Sequence, residues 1–374
     1  FYDKHPYPPP PADLSEYAER WADSARRRAE FHLRFPFRPY NERRTILVAG
    51  CGTAQAARYA VRHPEASVVG IDVSPASLAQ EERLKALHEL GNLELQELPI
   101  EEVGGLGTRF DEIVCTGVLH HLADPGAGLR ALRGVLAPGG VAHLMLYARY
   151  GRTGVAMIAE YARMAGVQAD RQDVIDLAQT LAEVPPGHPI AHLLRDTPDF
   201  RSVDALADAL LNPREVAYSV PELLDLLDGT GWGFQRWYRQ APYLPDCGAM
   251  ANSPHHDRVA ALPERDQYAA MELFRGTITT HSVIADTGAR SAKHALDDDD
   301  WAQLVPIRMP GARTITEGTP PGAAAVLLNE QHSFTDLVLP IDEPQRLLVD
   351  SIDGQRRIRD ITVPDEPTRG FFRA

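Results

Sequence analysis

Between residues 45 and 148 the chain alternates short, apolar runs with helical or turn-rich stretches, and that alternation leaves few ways to fold. The runs are TILVAG (45–50), SVVGID (67–72), LELQEL (93–98), FDEIVCTG (110–117) and GVAHLMLYA (140–148). Strands buried on both faces and joined through helices build a parallel sheet with helices on either side. After Tyr150 the alternation stops. Helical patterns fill 153–211 (TGVAMIAEYARMA, DVIDLAQTLAEV, SVDALADALL), broken by PPGHP and DTPDF. Alternation then resumes. SVPELLDLLDGTG reads as a helix started by Ser219 with Pro221 in its first turn. WGFQRWYRQAPY reads as a strand, ERDQYAAMELFRG as a helix and TITTHSVIADT as a closing strand. The expected fold class is α/β: one Rossmann-like sheet domain over 41–290, carrying a helical insertion at 150–217.

Residues 1–40 precede that domain. FYDKHPYPPPPAD is too rich in proline for a helix or an inner strand and reads as an extended segment. A helix over LSEYAERWADSARRRAEFHLRF follows, starting at Ser15 with Leu14, Tyr17 and Trp21 on its apolar face. At the other end SAKHALDDDD (291–300) reads as a charged linker, and 291–374 as a small α+β module of short strands and one or two helices.

The formal charge of −14 argues against a phosphate-backbone partner, because nucleic-acid binders present a basic face. Arg26, Arg27 and Arg28 have Asp23 and Glu30 as neighbours and read as a solvated helix face. Three cysteines with no CxxC pair fit a reducing compartment. No apolar run approaches the ~18 residues of a membrane helix and no signal peptide is visible, so the expectation is a cytoplasmic protein without a membrane partner.

The stretch ILVAGCGTAQAARYAV (46–61) is a strand, a glycine turn and a helix. A dinucleotide site wants G-x-G-x-x-G; here Gly50 and Gly52 fit, but Gln55 holds the third place. The pattern is instead G-x-G-x-A with Ala54, which suits close approach of backbone to an adenosyl or aminoacyl group lacking a diphosphate. Twenty residues past Gly52, Asp72 ends the second strand, where a carboxylate can accept both ribose hydroxyl hydrogens.

FDEIVCTGVLHHLADPGAGLRALRGVLAPGGVAHLMLY (110–147), together with ILVAGCGTA and VVGIDVSPASL, resembles the class I S-adenosylmethionine-dependent methyltransferases. The resemblance covers 41–150 in its motifs and 215–290 in architecture. It implies that Gly50, Cys51, Gly52 and Ala54 line the methionine and ribose of S-adenosyl-L-methionine and that Asp72 holds the ribose diol. It further implies that Val73, Leu98 and Pro99 flank adenine, and that Thr116, Gly117 and Val118 lie beside the cofactor. His120 is a further candidate cofactor contact, with simple packing as its alternative. The family often has an acid two residues before the first glycine; this chain has Val48. More loosely, YPPPP, LYARYGRTG and DALLNPREVAYSVPELLDLLDGTGW resemble bacterial enzymes related to protein-lysine methyltransferases.

His120 and His121 are adjacent at a helix start, a poor arrangement for one metal, and no metal is expected. Asp297 to Asp300 lack EF-hand spacing and His255 and His256 sit in a polar loop. Tyr2, Tyr7, Tyr147, Tyr150, Tyr218 and Tyr243 fall in segments expected to flank the carboxyl ends of the strands, where an aromatic box would suit a cationic amine. Candidate catalytic residues are His121 or Glu215 as base, with Tyr218 and Tyr7; Tyr2 is a candidate cofactor contact, Tyr2 and Tyr7 being carried on a lid formed by the N-terminal segment. The insertion is expected to leave apolar faces for a homodimer or a substrate roof. No [DN]PP[FY] motif follows strand four, which disfavours planar amide or nucleobase nitrogens as acceptors. The expected function is methylation of a nitrogen or oxygen on a small molecule or amino acid, as in specialised metabolism. The alternatives are methylation of a protein lysine or arginine side chain and, last, a non-catalytic cofactor-binding protein.

Overall fold

The apolar runs pair side by side at the centre of one sheet. In the computed structural model the described residues are 9–196, 202–212, 215–288, 296, 299–330 and 334–373. In chain order the elements begin with α1 (Ser15–Trp21) and α2 (Ser24–Arg34), then β1 (Thr45–Ala49), α3 (Gln55–Arg62), β2 (Ser67–Asp72) and α4 (Pro75–Leu87). Next come β3 (Leu93–Glu97), β4 (Phe110–Thr116), α5 (Pro125–Val135) and β5 (Leu136–Tyr147). Four helices follow, α6 (Thr153–Ala165), α7 (Arg171–Ala182), α8 (Ala191–Asp196) and α9 (Val203–Leu211). The α/β pattern returns with α10 (Val220–Gly229), β6 (Gly233–Trp237), α11 (His256–Ala260), α12 (Glu264–Arg275) and β7 (Thr280–Asp286). The C-terminal part holds β8 (Ala312–Ile315), β9 (Ala325–Asn329), β10 (Val338–Ile341), α13 (Glu343–Asp350), α14 (Ile358–Ile361) and α15 (Glu366–Arg373).

The large sheet has the order β3-β2-β1-β4-β5-β7-β6. β1 to β5 are parallel, and β7 inserts antiparallel beside β5. The chain winds outward from β1 through β2 to β3, then returns to β4 on the other side of β1. That reversal opens a crevice at the carboxyl ends of β1 and β4, where open α/β sheets hold ligands. The expected α/β class is met.

The chain divides into two compact units. One comprises residues up to 18, 42–234 and 275–287; the other comprises 19–41, 235–274 and 288 onward. In the first, Ile46 to Ala49 of β1 are fully buried, and Val48 joins Ala56, Ala57, Val68 and Leu84 in one cluster. Pro75 and Pro125 open α4 and α5, whose caps Ser74 and Asp124 accept from Ser77 N at 3.3 Å and Ala127 N at 2.9 Å. The backbone N–H and hydroxyl of Ser219 donate to Glu222 at 2.8 Å, closing a capping box on α10. The Trp232 indole N–H donates to Leu129 O at 3.0 Å from a fully buried ring.

In the second unit the Trp237 and Tyr243 rings stack at 3.9 Å with Tyr268 edge-on at 5.6 Å from Trp237. β8, β9 and β10 form a small antiparallel sheet in the order β10-β9-β8, with Ala325, Ile341 and Val349 as its buried cluster.

Two local expectations are corrected. The helix expected from Ser15 is two helices, because the Asp23 carboxylate accepts from Ala25 N at 2.8 Å and starts α2 afresh. The arginines on α2 are not a solvated face. Arg26 lies 5.7 Å over Trp21, Arg28 lies 4.4 Å over Tyr40, and Arg27 donates to Trp21 O at 2.7 Å. Glu30 and Arg34 form a fully buried ion pair at 3.0 Å.

The insertion does not simply expose its apolar faces. Val155, Ile158, Val174, Leu177, Ile190, Leu206 and neighbours from α6 to α9 make a core of their own. Met157, Tyr161 and Met164, one stripe of α6, stay exposed. Gly154 permits a close backbone approach: a Cβ there would stand 2.3 Å from Ile190 N and 2.5 Å from Pro189 C. Backbone cannot yield as a side-chain tip can. Gly154→Ala is therefore expected to destabilise the protein by about 1–3 kcal/mol, read as a lowered denaturation midpoint. An unchanged midpoint would refute this packing of α6.

Candidate functional site

The turn after β1 is forced to be glycine at its first position. Gly50 has φ +71°, and a Cβ there would lie 2.4 Å from a methyl of Val118, in the loop after β4. The amides of Gly50 and Cys51 both donate to Ile71 O, at 2.8 and 2.9 Å, so the turn is pinned to the end of β2. Asp72 Oδ2 accepts from Gly52 N at 2.8 Å and Oδ1 accepts from Ser74 N at 2.9 Å. Each carboxylate oxygen retains a lone pair for a further donor such as a ribose hydroxyl. Val73 beside it is exposed, and Leu98 N donates to Asp72 O at 3.0 Å, drawing Leu98 and Pro99 alongside. Gln55 Nε2 donates to Thr116 Oγ1 at 2.6 Å, tying the start of α3 to the end of β4, where Gly117 and Val118 follow.

Ala54 precedes α3 as its cap but offers no side-chain bond. The amides of Ala56 and Ala57 donate instead to Glu81 of α4, at 2.8 and 2.9 Å, and all three residues are fully buried. A pyrophosphate at this turn would need those N–H groups. They are taken, so the turn fits a nucleoside cofactor without a diphosphate. Burial, reinforced by Glu81 and Asp72, pushes the Cys51 thiol up, leaving it a neutral, packed side chain.

The second half of the site gathers at the ends of β4 and β5. His120, in the short turn Leu119–His121, is fully buried with its ring 3.8 Å from Tyr147 and 4.2 Å from His121. Neither ring nitrogen of His120 has a hydrogen-bond partner. Burial first, then His121 and Arg152, hold its pKa well below the usual value, so it is a neutral imidazole. Arg152 lies 3.6 Å over the Tyr147 ring and donates to Glu215 Oε1 through Nε at 3.2 Å and Nη2 at 2.9 Å. Glu215 Oε2 is buried without a partner, and burial raises the carboxyl pKa against the pull of Arg152.

Main-chain bonds lay the segment after the insertion across these strand ends. Val216 N donates to His120 O at 3.1 Å and Tyr218 N to Tyr147 O at 2.8 Å. Tyr218 is half-buried, and burial, with Glu222 and Asp124, raises its phenol pKa.

The structure thus places Gly50, Cys51, Gly52, Ala54, Asp72, Val73, Leu98, Pro99, Thr116, Gly117 and Val118 at the carboxyl ends of β1, β2, β3 and β4, with His120, His121, Glu215 and Tyr218 at the adjoining strand ends. Tyr2 and Tyr7 lie outside the described residues. The aromatic box is not assembled as expected: Tyr150 is exposed, and Tyr243 is buried in its own unit against Trp237. His256 pairs with Asp246 at 2.8 Å and Asp257 at 3.0 Å, and these side-chain bonds raise its pKa. Among the described residues no group of three or more His, Cys, Asp or Glu is placed to hold a metal, and no helix is long and apolar enough to cross a membrane. Sequence reasoning missed Arg152 and Glu81. Arg152 sits in a quoted motif, but no pattern marks an arginine as buried, and Glu81 followed by Glu82 reads as solvent-facing.

Comparison with known proteins bears on the same region. Residues 47–142 match a family described as a methyltransferase domain. An uncharacterized protein of Synechococcus is 29% identical over 323 residues, covering 82% of this chain and 75% of that one. A ubiquinone biosynthesis O-methyltransferase of Alkalilimnicola ehrlichii is 36% identical over 100 residues, 26% of this chain. The chain matches only 40% of that enzyme's length. The solved structure of PKMT2 from Rickettsia typhi shares the fold over 94% of this chain and 72% of its own, with a TM-score of 0.63 at 14% identity.

Asp72→Ala removes charge-assisted bonds worth about 1.5–3 kcal/mol each. The expected outcome is a drop in S-adenosylmethionine affinity of about tenfold or more by calorimetry. Unchanged affinity would overturn the placement of the ribose.

Proposed function

We propose that this chain, which carries a class I S-adenosylmethionine-dependent methyltransferase domain, methylates a nitrogen or oxygen nucleophile of a small molecule or an amino acid. The observation that carries this reading is the pair of partnerless buried groups, His120 and Glu215 Oε2, at the strand ends beside the cofactor crevice. Buried polar atoms without partners are costly, and a ligand bearing N–H or O–H satisfies them. Arg152, already bound to Glu215 and stacked on Tyr147, is not offered to an anionic acceptor.

When bound, S-adenosylmethionine supplies a methyl carbon made electrophilic by its sulfonium. Asp72 accepts from the ribose hydroxyls, while Val73, Leu98 and Pro99 give the adenine an apolar border. In-line displacement needs alignment and dry surroundings more than covalent help. His120 and Arg152, packed on either side of Tyr147, exclude water from the acceptor. His120 positions the nucleophile by hydrogen bonding, since an imidazole with so low a pKa is a weak base. Glu215 Oε2 takes the proton that the nucleophile loses as its bond to carbon forms. His121 and Tyr218 border the same place.

A protein lysine or arginine side chain is the second reading. Its support is the fold shared with PKMT2, a protein-lysine methyltransferase, through the C-terminal part as well as the sheet domain. Methyl-labelled cofactor offered with amines, amino acids, phenols and whole protein extract separates the two. Label in small molecules alone supports the first reading, and label in protein alone replaces it with the second.

Glu215 must be ionised to accept a proton, and its folded pKa is raised, so turnover is expected to fall as pH drops through that raised value. Glu215→Gln is expected to lower kcat by about 10²–10⁴ and to erase this acid limb, with cofactor affinity unchanged. Wild-type turnover in the variant would remove Glu215 as the base.

A further inference from the structure

We infer that Glu81 is a positioning residue for the cofactor: its buried carboxylate, reaching from α4, holds the first amides of α3 and fixes the Gly50–Gly52 turn for a positively charged nucleoside. The inference rests on the reading of this domain as one that uses S-adenosylmethionine.

An α-helix leaves its first N–H groups without internal acceptors. At α3 the cap residue is Ala54, which has no side-chain acceptor, and Ala56 and Ala57 are fully buried where water cannot serve. β1 supplies no acid either, since the fully buried residue two before Gly50 is Val48. Glu81 meets the need with one oxygen on each amide. Its charge is deeper than Asp72's and lies within that carboxylate's field.

The charged groups that act on Glu81 are Asp72 at the end of β2 and Arg58 on α3, while the Cys51 thiol in the turn feels the charge of Glu81. Burial is the largest influence and raises the carboxyl; the two amides and Arg58 oppose it, and Asp72 adds to it, leaving the pKa at about 7. A cation bound at the turn stabilises the ionised form, so binding drives a proton off near neutral pH. The sulfonium of S-adenosylmethionine is such a cation. The thioether product S-adenosylhomocysteine lacks that charge and should displace less proton. Affinity for the sulfonium cofactor therefore rises from pH 6 to pH 8. The ligand-free fold behaves oppositely. A folded pKa raised from 4.5 means that the stability contributed by protonated Glu81 is lost as pH rises from 4.5 through about 7. A merely structural carboxylate would not make cofactor affinity and fold stability run in opposite directions with pH.

The test is calorimetric titration of the ligand-free chain with S-adenosylmethionine and with S-adenosylhomocysteine at pH 6, 7 and 8, in buffers of differing ionisation enthalpy. Expected for the wild type are greater proton release with the sulfonium ligand and an affinity gain of several-fold between pH 6 and pH 8. For Glu81→Gln the expectation is binding weakened about tenfold at pH 8 and a flat pH profile, with the profile restored in Glu81→Asp. Equal proton release for the two ligands in the wild type overturns the inference without any variant, so a misfolded Glu81→Gln would not shelter it. A folded Glu81→Gln with wild-type affinity and slope overturns it too. A chain that binds neither ligand overturns the cofactor reading, and the inference with it.

Discussion

The close approach of Gly50 to Val118 sets the geometry on which the site depends. β1 and β4 are neighbours in the sheet, yet the chain leaves them in opposite directions, toward β2 and toward β5. Only a residue without a Cβ lets the turn after β1 lie against the loop after β4. From that contact the crevice follows. Asp72 is carried to its edge by β2, which is in register with β1 from Ser67 to Ile71. His120 is carried to its other side two residues beyond Val118. A side chain at Gly50 would part the two strand ends and separate the two halves of the site.

Charge is arranged differently in those halves. Around the turn, two carboxylates, Asp72 and Glu81, are satisfied by four backbone amides, those of Gly52, Ser74, Ala56 and Ala57. Amides orient a carboxylate without cancelling its charge, so the turn keeps a negative field. At the ends of β4 and β5 the buried guanidinium of Arg152 is matched by Glu215, and the imidazole of His120 is neutral. Asp208, also buried, joins burial in raising the Glu215 pKa. A cationic cofactor beside a negative turn, and a proton-bearing nucleophile beside a carboxylate of raised pKa, are the pairing that such a division of charge suits.

What the sequence made legible was what repeats or what turns. Four of the five parallel strands carry apolar residues on both faces, the edge strand β3 on one, and each expected run contains most of an observed strand. Gly50, Gly52 and Asp72 stood out because a tight turn and a strand-end acid have few other uses at that spacing. What stayed hidden depends on burial of charge, which no periodicity reveals. Glu81 on α4 and Arg152 ahead of α6 are chemically ordinary in the sequence and fully or almost fully buried in the fold. The break between α1 and α2 was hidden for a related reason. Asp23 caps α2 in the middle of a stretch whose apolar spacing reads as continuous.

The insertion illustrates how local satisfaction alters an expectation. Helices with apolar faces were expected to seek a partner copy or to roof the substrate, yet α6, α7, α8 and α9 close on one another. What the closure fixes is where the chain re-enters the sheet domain. α9 ends at Leu211, and within a few residues Glu215 reaches Arg152, which immediately precedes α6. The ion pair therefore joins the two ends of the insertion, and main-chain bonds from Val216 and Tyr218 hold its exit against β4 and β5. The four helices share one core among the described residues, so the position of Glu215 depends on packing some distance from the chemistry. Loosening that core would move the carboxylate relative to His120 without touching either residue, and the acceptor half of the site depends on it for that reason.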